Sequence, residues 1–311
     1  MRKVAFLAFC LASFLARAPL ACALNLEKFD RLVVFGDSLS DNGNLFAITH
    51  GEQPPFPPYG ETFDEKTGPF PGRFTDGQNW VDYFPSVARH FAQVTAFYSD
   101  PNNGTNFAIG GSTSEDLTKQ IDAYLNSPAG QNPAKNLCVI WIGGNDFFNA
   151  PPILPNVTVE NICDGITRLW NAGVRSFAVI KVPDISLTPR IMGKPTIIQP
   201  AKQFVFAVNV LLEVELPLFA WLHRIHVQLV DINQIFIQLV LEPGRFGFTN
   251  STTPALAALV ANPNTNPNGY IFFDDFHATT RAYFLAAEFI YRSIAFRRDF
   301  PVNLQITRYS R

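Results

Sequence analysis

The chain has 311 residues, of which 47% are hydrophobic and 16% are charged, and its formal net charge at pH 7 is −2. This composition excludes an intrinsically disordered chain, because such chains combine few hydrophobic residues with a high net charge. The slightly acidic balance also removes any electrostatic reason to expect binding to nucleic acid.

The first 23 residues have the pattern of an export signal. Two basic residues, Arg2 and Lys3, precede an apolar stretch at 4–15, and residues 21–23 (ACA) fit a small-residue cleavage site. The apolar stretch is too short to span a bilayer. We therefore predict a signal peptide over residues 1–23 and a secreted protein, extracellular or periplasmic. A lipoprotein modified at Cys22 is a second interpretation.

Short apolar runs then alternate with helical patterns along the chain. The runs are nearly continuous in Val, Ile and Phe, which is typical of strands covered on both faces. The predicted strands are 31–36, 105–109, 137–142, 176–182 and 226–232, and the predicted helices are 78–91, 114–125, 159–171, 201–224 and 279–296. This alternation predicts right-handed β-α-β crossovers. We expect one three-layer α/β/α domain over residues 24–311, with a central parallel sheet.

The longest apolar run after the signal, residues 204–222, contains Asn209, Glu213, Glu215 and Pro217. A helix that spans lipid rarely carries such residues, so we interpret the run as a core-facing helix.

Two long segments interrupt the alternation, at 50–76 and 242–268, and both are rich in Pro and Gly and contain several Phe. Long irregular segments in compact domains are usually functional. Their Phe content predicts loops that face a substrate, with surface decoration as the alternative.

Residues that directly follow the strands are the first candidates for a site, because ligands of parallel α/β sheets bind beyond the carboxyl ends of the strands. Residues 36–38 (GDS) follow the first run, and a turn there can expose the Ser38 hydroxyl. Residues 110–112 (GGS) follow the second run, and their backbone can approach a ligand closely. Residues 143–146 (GGND) follow the third, where the Asn145 amide can donate to an oxyanion. Taken singly, each motif is equally well a helix cap or a turn.

Asp274 and His277 lie three residues apart near the end of the chain. This spacing lets a carboxylate orient an imidazole, although an exposed Asp and a satisfied His would be the default, and Asp275 competes for the same role. His223 and His226 also lie three residues apart. They lack a third ligand at suitable spacing, so no metal site is predicted.

Two cysteines, Cys138 and Cys163, remain after removal of the signal. An exported protein can join such a pair in a disulfide, or both can be buried thiols, and the spacing leaves both interpretations open.

Taken together, the motifs resemble the GDSL or SGNH hydrolase family. The matching blocks are FGDSLSDNGN (35–44), NFAIGGS (106–112), GGND (143–146) and DDFH (274–277), and residues 57–83 are similar to the stretch that follows the first block in the family. The resemblance covers nearly the whole mature chain. It is strongest to secreted bacterial lysophospholipases A and glycerophospholipid:cholesterol acyltransferases, and it implies the flavodoxin-like SGNH fold.

The resemblance implies a two-step acyl transfer without cofactor or metal. The residues it assigns are Ser38 as nucleophile, His277 as base, Asp274 as the partner of the base, and Ser38, Gly111 and Asn145 as donors of the oxyanion hole. Gly111 is preferred to Gly110 because the family's glycine directly precedes a polar residue. Ala278 departs from the family, which often has Pro after the His, and this could loosen the turn that carries the His.

The expected substrate is a lipid acyl ester, cleaved by a monomeric lysophospholipase A or phospholipase A that makes transient contact with a membrane surface. Acyl transfer to an alcohol would be a further activity. A carbohydrate acetylesterase is the alternative on the same machinery, with Trp80 and Tyr59 as candidates to stack on a sugar. A non-catalytic exported binding protein is the remaining interpretation.

Overall fold

The computed structural model describes residues 23–61 and 69–296. The predicted signal peptide therefore lies outside the described residues, except for its last residue. Four strands form one parallel sheet in chain order. They are β1 (Arg31–Gly36), β2 (Asn136–Trp141), β3 (Ser176–Ile180) and β4 (His226–Val230).

Helices connect and cover these strands. They are α1 (Asn44–Ile48), α2 (Trp80–Ala88), α3 (Leu117–Leu125), α4 (Pro155–Asn171), α5 (Pro189–Met192), α6 (Pro195–His223), α7 (Asn233–Leu241), α8 (Ala255–Ala261) and α9 (Thr280–Ala295). All five predicted helices are present, while α1, α5, α7 and α8 were not predicted. The start of α2 shows why helices begin where they do: Asn79 caps the first turn and the Asp82 carboxylate accepts the Asn79 N–H in return.

Successive residues of β1 face opposite sides of the sheet, as the pleat of a strand requires. Val33 and Phe35 pack into a core cluster with side chains of α3, α4 and α6. Leu32 and Val34 pack into a second cluster with side chains of α2, α7 and α9. The sheet is thus the middle layer of a three-layer α/β/α fold, as predicted.

The predicted strand at 105–109 is wrong as a regular strand, although its position is correct. The segment runs parallel to β1 through a single bridge between Val34 and Asn106. The Val34 N–H donates to the Thr105 carbonyl and the Phe107 N–H donates to the Val34 carbonyl, but Gln120 Oε1 takes the Gly36 N–H, with which the ladder would continue. On the opposite edge of the segment, Asn44 Nδ2 donates to the carbonyls of Asn106 and Ala108. With this segment beside β1, the order is that of a flavodoxin-like sheet.

Helix α6 is core-facing on one side only. Among the described helices it is the one that is long and apolar enough to cross a membrane, with a mean hydropathy of 1.8 over 18 residues. Phe204, Val208 and Leu212 pack into the core, whereas Phe206 is 71% exposed and Leu222 is 60% exposed. The sequence-based interpretation missed this outer apolar face.

Both cysteines are free thiols in the structure. Cys138 is fully buried in β2, and Cys163 lies half-buried on α4 against the same core cluster. Of the two interpretations, the structure agrees with the one in which Cys138 and Cys163 are separate thiols and not joined in a disulfide.

Candidate active site

The turn after β1 brings Ser38 to the carboxyl edge of the sheet. A Cβ at Gly36 would lie 2.3 Å from the Trp141 carbonyl oxygen, so only glycine allows β1 to approach β2 this closely. The Asp37 carbonyl then accepts the N–H groups of Ser40 and Asp41 at 3.0 and 2.9 Å. These bonds hold a tight turn with Ser38 within it.

His277 lies between Ser38 and Asp274. Its Nε2 is 2.8 Å from Ser38 Oγ, and its Nδ1 is 2.7 Å from Asp274 Oδ2. The other carboxylate oxygen, Oδ1, accepts the backbone N–H groups of Phe276 and His277 at 2.8 and 2.6 Å. Asp275 points elsewhere: its side chain is exposed and pairs with Arg190 at 3.5 Å. The structure therefore places Asp274, and not its neighbour, beside the imidazole.

The electrostatics of Asp274 favour a permanent carboxylate. Burial alone would raise its pKa, but the charge of His277 and the hydrogen bonds from the imidazole and two backbone N–H groups lower the pKa to about 2. An ionised carboxylate at Nδ1 selects the imidazole tautomer whose Nε2 accepts a proton from Ser38.

Ala278 does not loosen the histidine turn. Its segment forms an antiparallel bridge with Phe272, the Phe273 N–H donates to the His277 carbonyl at 2.8 Å, and the Thr75 hydroxyl donates to the Ala278 carbonyl at 2.8 Å. These three contacts restrain the turn without the Pro that is common in the family.

The residues predicted for an oxyanion hole lie on loops that are tied to the end of β1. Gln120 Nε2 donates to the Gly36 carbonyl at 2.7 Å and to Ser112 Oγ at 3.2 Å, which fixes the loop at 110–112 beside the Ser38 turn. Asn145 Nδ2 donates to the Ser112 carbonyl at 2.9 Å, and the amide carries a second N–H. The loop at 143–146 is thereby attached to the loop at 110–112.

Within the loop at 110–112, the structure distinguishes Gly110 from Gly111. The Gly110 N–H donates to Asp41 Oδ2 at 2.8 Å and is therefore occupied. Gly111 has a φ of +80°, and open space surrounds the position that its Cβ would take. The assignment of Gly111 as a donor toward a ligand stays a prediction.

Two aromatic residues of the first long loop contact the triad, and sequence reasoning did not assign them. The Tyr59 hydroxyl donates to Asp274 Oδ2 at 2.8 Å. Burial and the charge of Asp274 raise the pKa of Tyr59, so it remains a donor. The Phe74 ring lies 5.0 Å from the His277 ring. The Phe-rich composition of segment 50–76 was a signal for such contacts, but no pattern indicated the individual partners.

Trp80 cannot stack on a sugar, which corrects one support for the acetylesterase interpretation. Its side chain is fully buried at the start of α2, and its Nε1–H donates to Ser40 Oγ at 3.1 Å. Tyr59, the other candidate for stacking, uses its hydroxyl to bind Asp274. The second long segment contains α8, and its Ala255 N–H donates to the carbonyl of Phe272, two residues before Asp274, at 2.9 Å.

No three His, Cys, Asp or Glu side chains cluster as metal ligands within residues 23–61 and 69–296. His223 instead packs against the rings of Trp170 and Phe219, with centroid distances of 4.4 and 4.2 Å.

Asp37 carries a buried carboxyl group next to the nucleophile, and we expect it to make stability depend on pH. Burial raises its pKa from 3.8 to about 7, against the lowering effects of the Leu39 N–H and the charge of His277. A carboxyl whose pKa is higher in the folded than in the unfolded state destabilises the folded protein as the pH rises from the unfolded-state pKa to the folded-state pKa.

Asp37→Asn should remove this loss while keeping an oxygen that accepts the Leu39 N–H. Relative to wild type, the variant should gain about 1.4 kcal/mol in free energy of unfolding for each pH unit between about pH 4 and pH 7. Urea unfolding at several pH values measures this. Because Asp41, Asp76 and Asp146 also have raised pKa values, only the difference between the two proteins isolates Asp37. A difference that stays constant with pH would contradict the prediction.

The chain is similar to one family of known proteins and to individual members of it. A family model described as GDSL-like lipase/acylhydrolase matches residues 32–290. The secreted effector protein SseJ of Salmonella typhimurium is 32% identical over 176 residues, which cover 53% of this chain and 38% of that protein. The thermolabile hemolysin of Vibrio parahaemolyticus is 25% identical over 245 residues, 75% of this chain and 53% of the hemolysin.

A GDSL esterase/lipase of Arabidopsis thaliana is 26% identical over 354 residues, which cover 89% of this chain and 87% of the plant protein. The match to this chain covers only about half, or less, of the length of the two bacterial proteins named above. Because the family model extends over most of the chain, this protein belongs to the GDSL lipase/acylhydrolase family.

Proposed function

We propose that Ser38, His277 and Asp274 form the catalytic triad of a serine acyl hydrolase. The observation that carries this proposal is the distance of 2.8 Å between Ser38 Oγ and a His277 ring whose other nitrogen contacts an ionised carboxylate. This is the geometry in which a hydroxyl loses its proton to the imidazole as it attacks a carbonyl carbon.

The reaction proceeds in two acyl transfers. Ser38 Oγ attacks the ester carbonyl while His277 Nε2 takes its proton, and the backbone N–H groups of Ser38 and Gly111 with the Asn145 amide stabilise the resulting oxyanion. His277 then gives the proton to the leaving alcohol, and the acyl group stays on Ser38. Water, activated by the same imidazole, releases the acid; an alcohol in place of water would give acyl transfer.

We propose lipid acyl esters as the substrates, with lysophospholipase A or phospholipase A activity outside the cytoplasm. Aromatic side chains surround the imidazole: Phe74 lies 5.0 Å and Phe276 lies 5.6 Å from the His277 ring, and Phe148 packs on Phe276 at 5.4 Å. Apolar walls beside a nucleophile favour a hydrocarbon substrate. The names of two relatives, a hemolysin and a secreted effector, support a membrane substrate and secretion.

Lysophosphatidylcholine tests this assignment directly. We expect the purified protein to release free fatty acid from it, measured by mass spectrometry, and Ser38→Ala to release none. Acetylated xylo-oligosaccharides serve as the competing substrate. Rapid deacetylation of these sugars without fatty acid release would overturn the lipid assignment and favour the acetylesterase.

A further inference from the structure

The loop at 110–114 carries Gly111, whose backbone N–H is one of the predicted oxyanion donors. The backbone N–H groups of residues 110 and 112–114 all donate to oxygen atoms of the protein, at distances of 2.8–3.2 Å. Within residues 23–61 and 69–296, the Gly111 N–H has no such acceptor. The bonds on either side of Gly111 therefore determine where this remaining donor lies.

Asp41 joins one end of this loop to the Ser38 turn. Its side chain is fully buried, and four backbone N–H groups donate to it at 2.7–3.0 Å. Three of these groups belong to residues 43–45 at the start of α1, and the fourth belongs to Gly110. Since Asp41 lies three residues after Ser38, its carboxylate sets the position of the loop relative to the nucleophile.

Asp146 joins the other end of the loop to Asn145 and to α4. Its side chain is also fully buried. Its Oδ1 accepts the Ser114 N–H at 2.8 Å, and its Oδ2 accepts the hydroxyl of Thr158 in α4 at 2.6 Å. Such short contacts are usual where a hydroxyl donates to an ionised carboxylate. Because Asp146 directly follows Asn145, the same side chain sets the distance between the Gly111 N–H and the Asn145 amide.

We propose that Asp41 and Asp146 are positioning residues of the oxyanion hole, which from opposite sides of Gly111 hold its N–H group in place relative to Ser38 and Asn145. This inference rests on the proposed function. The donors of an oxyanion hole must lie within about 2.7–3.1 Å of the developing charge, so a small displacement of the loop weakens their effect. Since the charge develops only in the transition state, loss of either carboxylate should lower kcat and leave KM nearly unchanged.

The substitution of Asp by Asn should have different effects at the two positions. In Asp146→Asn, the amide oxygen still accepts the Ser114 N–H, and the amide nitrogen donates to the Thr158 hydroxyl. That hydroxyl then donates to the Leu154 carbonyl, which lies 3.3 Å away. In Asp41→Asn, the amide nitrogen must face two backbone N–H groups, which cannot accept a hydrogen bond. We therefore expect Asn to replace the carboxylate at position 146 but not at position 41.

The experiment measures kcat and KM for p-nitrophenyl butyrate and the inhibition constant of butaneboronic acid, which forms a tetrahedral adduct with an active serine. Asp146→Ala and Asp41→Asn should each lower kcat and boronate affinity by about tenfold or more, with a nearly unchanged KM. Asp146→Asn should recover most of the activity that Asp146→Ala loses. Should Asp146→Ala not fold, Thr158→Val removes one partner of the same carboxylate and should change kcat and boronate affinity in the same direction.

Asn136→Ala is the matched control for a general loss of stability. Asn136 is fully buried, and its Nδ2 donates to Tyr124 Oη and to the Ala129 carbonyl, both at 2.8 Å. It is the first residue of β2 and therefore lies at the end of the sheet opposite Ser38. We expect Asn136→Ala to lower the free energy of unfolding in urea while kcat and boronate affinity stay at the wild-type values.

The outcomes separate this inference from the proposed function. A wild-type protein that hydrolyses no ester and binds no boronate overturns the proposed function itself. An active wild-type protein, with Asp146→Ala and Asp41→Asn unchanged in kcat and boronate affinity, overturns the positioning role alone. The positioning role is also overturned if Asn136→Ala loses as much kcat and boronate affinity as Asp146→Ala, or if Asp146→Asn recovers nothing.

Discussion

Ser38→Ala and His277→Ala should each lower kcat on any ester substrate by about 10⁶-fold, because each variant removes a group without which no acyl-enzyme forms by this route. The distance of 2.8 Å between the two side chains means that the loss of either one leaves the other without its reaction partner. Steady-state kinetics with p-nitrophenyl butyrate provides the measurement.

The controls for this prediction are matched by residue type. Ser86 and His50 are exposed and lie outside the triad, so Ser86→Ala and His50→Ala should retain full turnover. A fluorophosphonate probe should label wild type and both controls but not Ser38→Ala. Folded Ser38→Ala protein with wild-type turnover would refute the triad, and wild-type protein that resists the probe would point to a non-catalytic binding protein.

Asp274→Asn should lower kcat by about 10⁴-fold through the wrong imidazole tautomer. The two backbone N–H groups at Oδ1 require an oxygen in that position, so the amide nitrogen of the variant must face His277 Nδ1. That nitrogen donates, which forces the imidazole proton onto Nε2, where it faces Ser38. The expected result is a fall in kcat of a folded variant, measured by steady-state kinetics beside its circular dichroism spectrum.

Tyr59→Phe is the comparison that separates charge from hydrogen bonding. It removes the hydroxyl that donates to Asp274 Oδ2 but leaves the carboxylate ionised. Since a single hydrogen bond to a charged group is worth about 1.5–3 kcal/mol, kcat should fall by about ten- to one-hundredfold, well short of the effect of Asp274→Asn. Equal losses in the two variants would contradict the tautomer argument.

The sequence predicted the layer architecture because the strands are buried on both faces and the helices present one apolar side. It also placed Ser38, Gly111, Asn145 and His277 at the ends of strands or loops, since a parallel sheet brings successive carboxyl ends to one edge. The structure adds the distances, with His277 in contact with both Ser38 and Asp274.

Other features depend on contacts that no local pattern contains. Segment 105–109 has strand composition, yet the Gln120 side chain takes the Gly36 N–H that a longer ladder with β1 would need. The link between Tyr59 and Asp274 joins residues 215 positions apart. The apolar periodicity of α6 identified a helix but not which face would stay uncovered, because that depends on the neighbours available in the folded chain.

The crowded carboxylate of Asp274 determines how far the catalytic proton travels. Four donors already occupy it: two backbone N–H groups, the imidazole and the Tyr59 hydroxyl. These donors lower the pKa of Asp274 to about 2, so the hydrogen shared with Nδ1 stays on the imidazole when Nε2 takes the proton of Ser38. The positive charge that develops during the attack therefore remains on the ring until the alcohol departs.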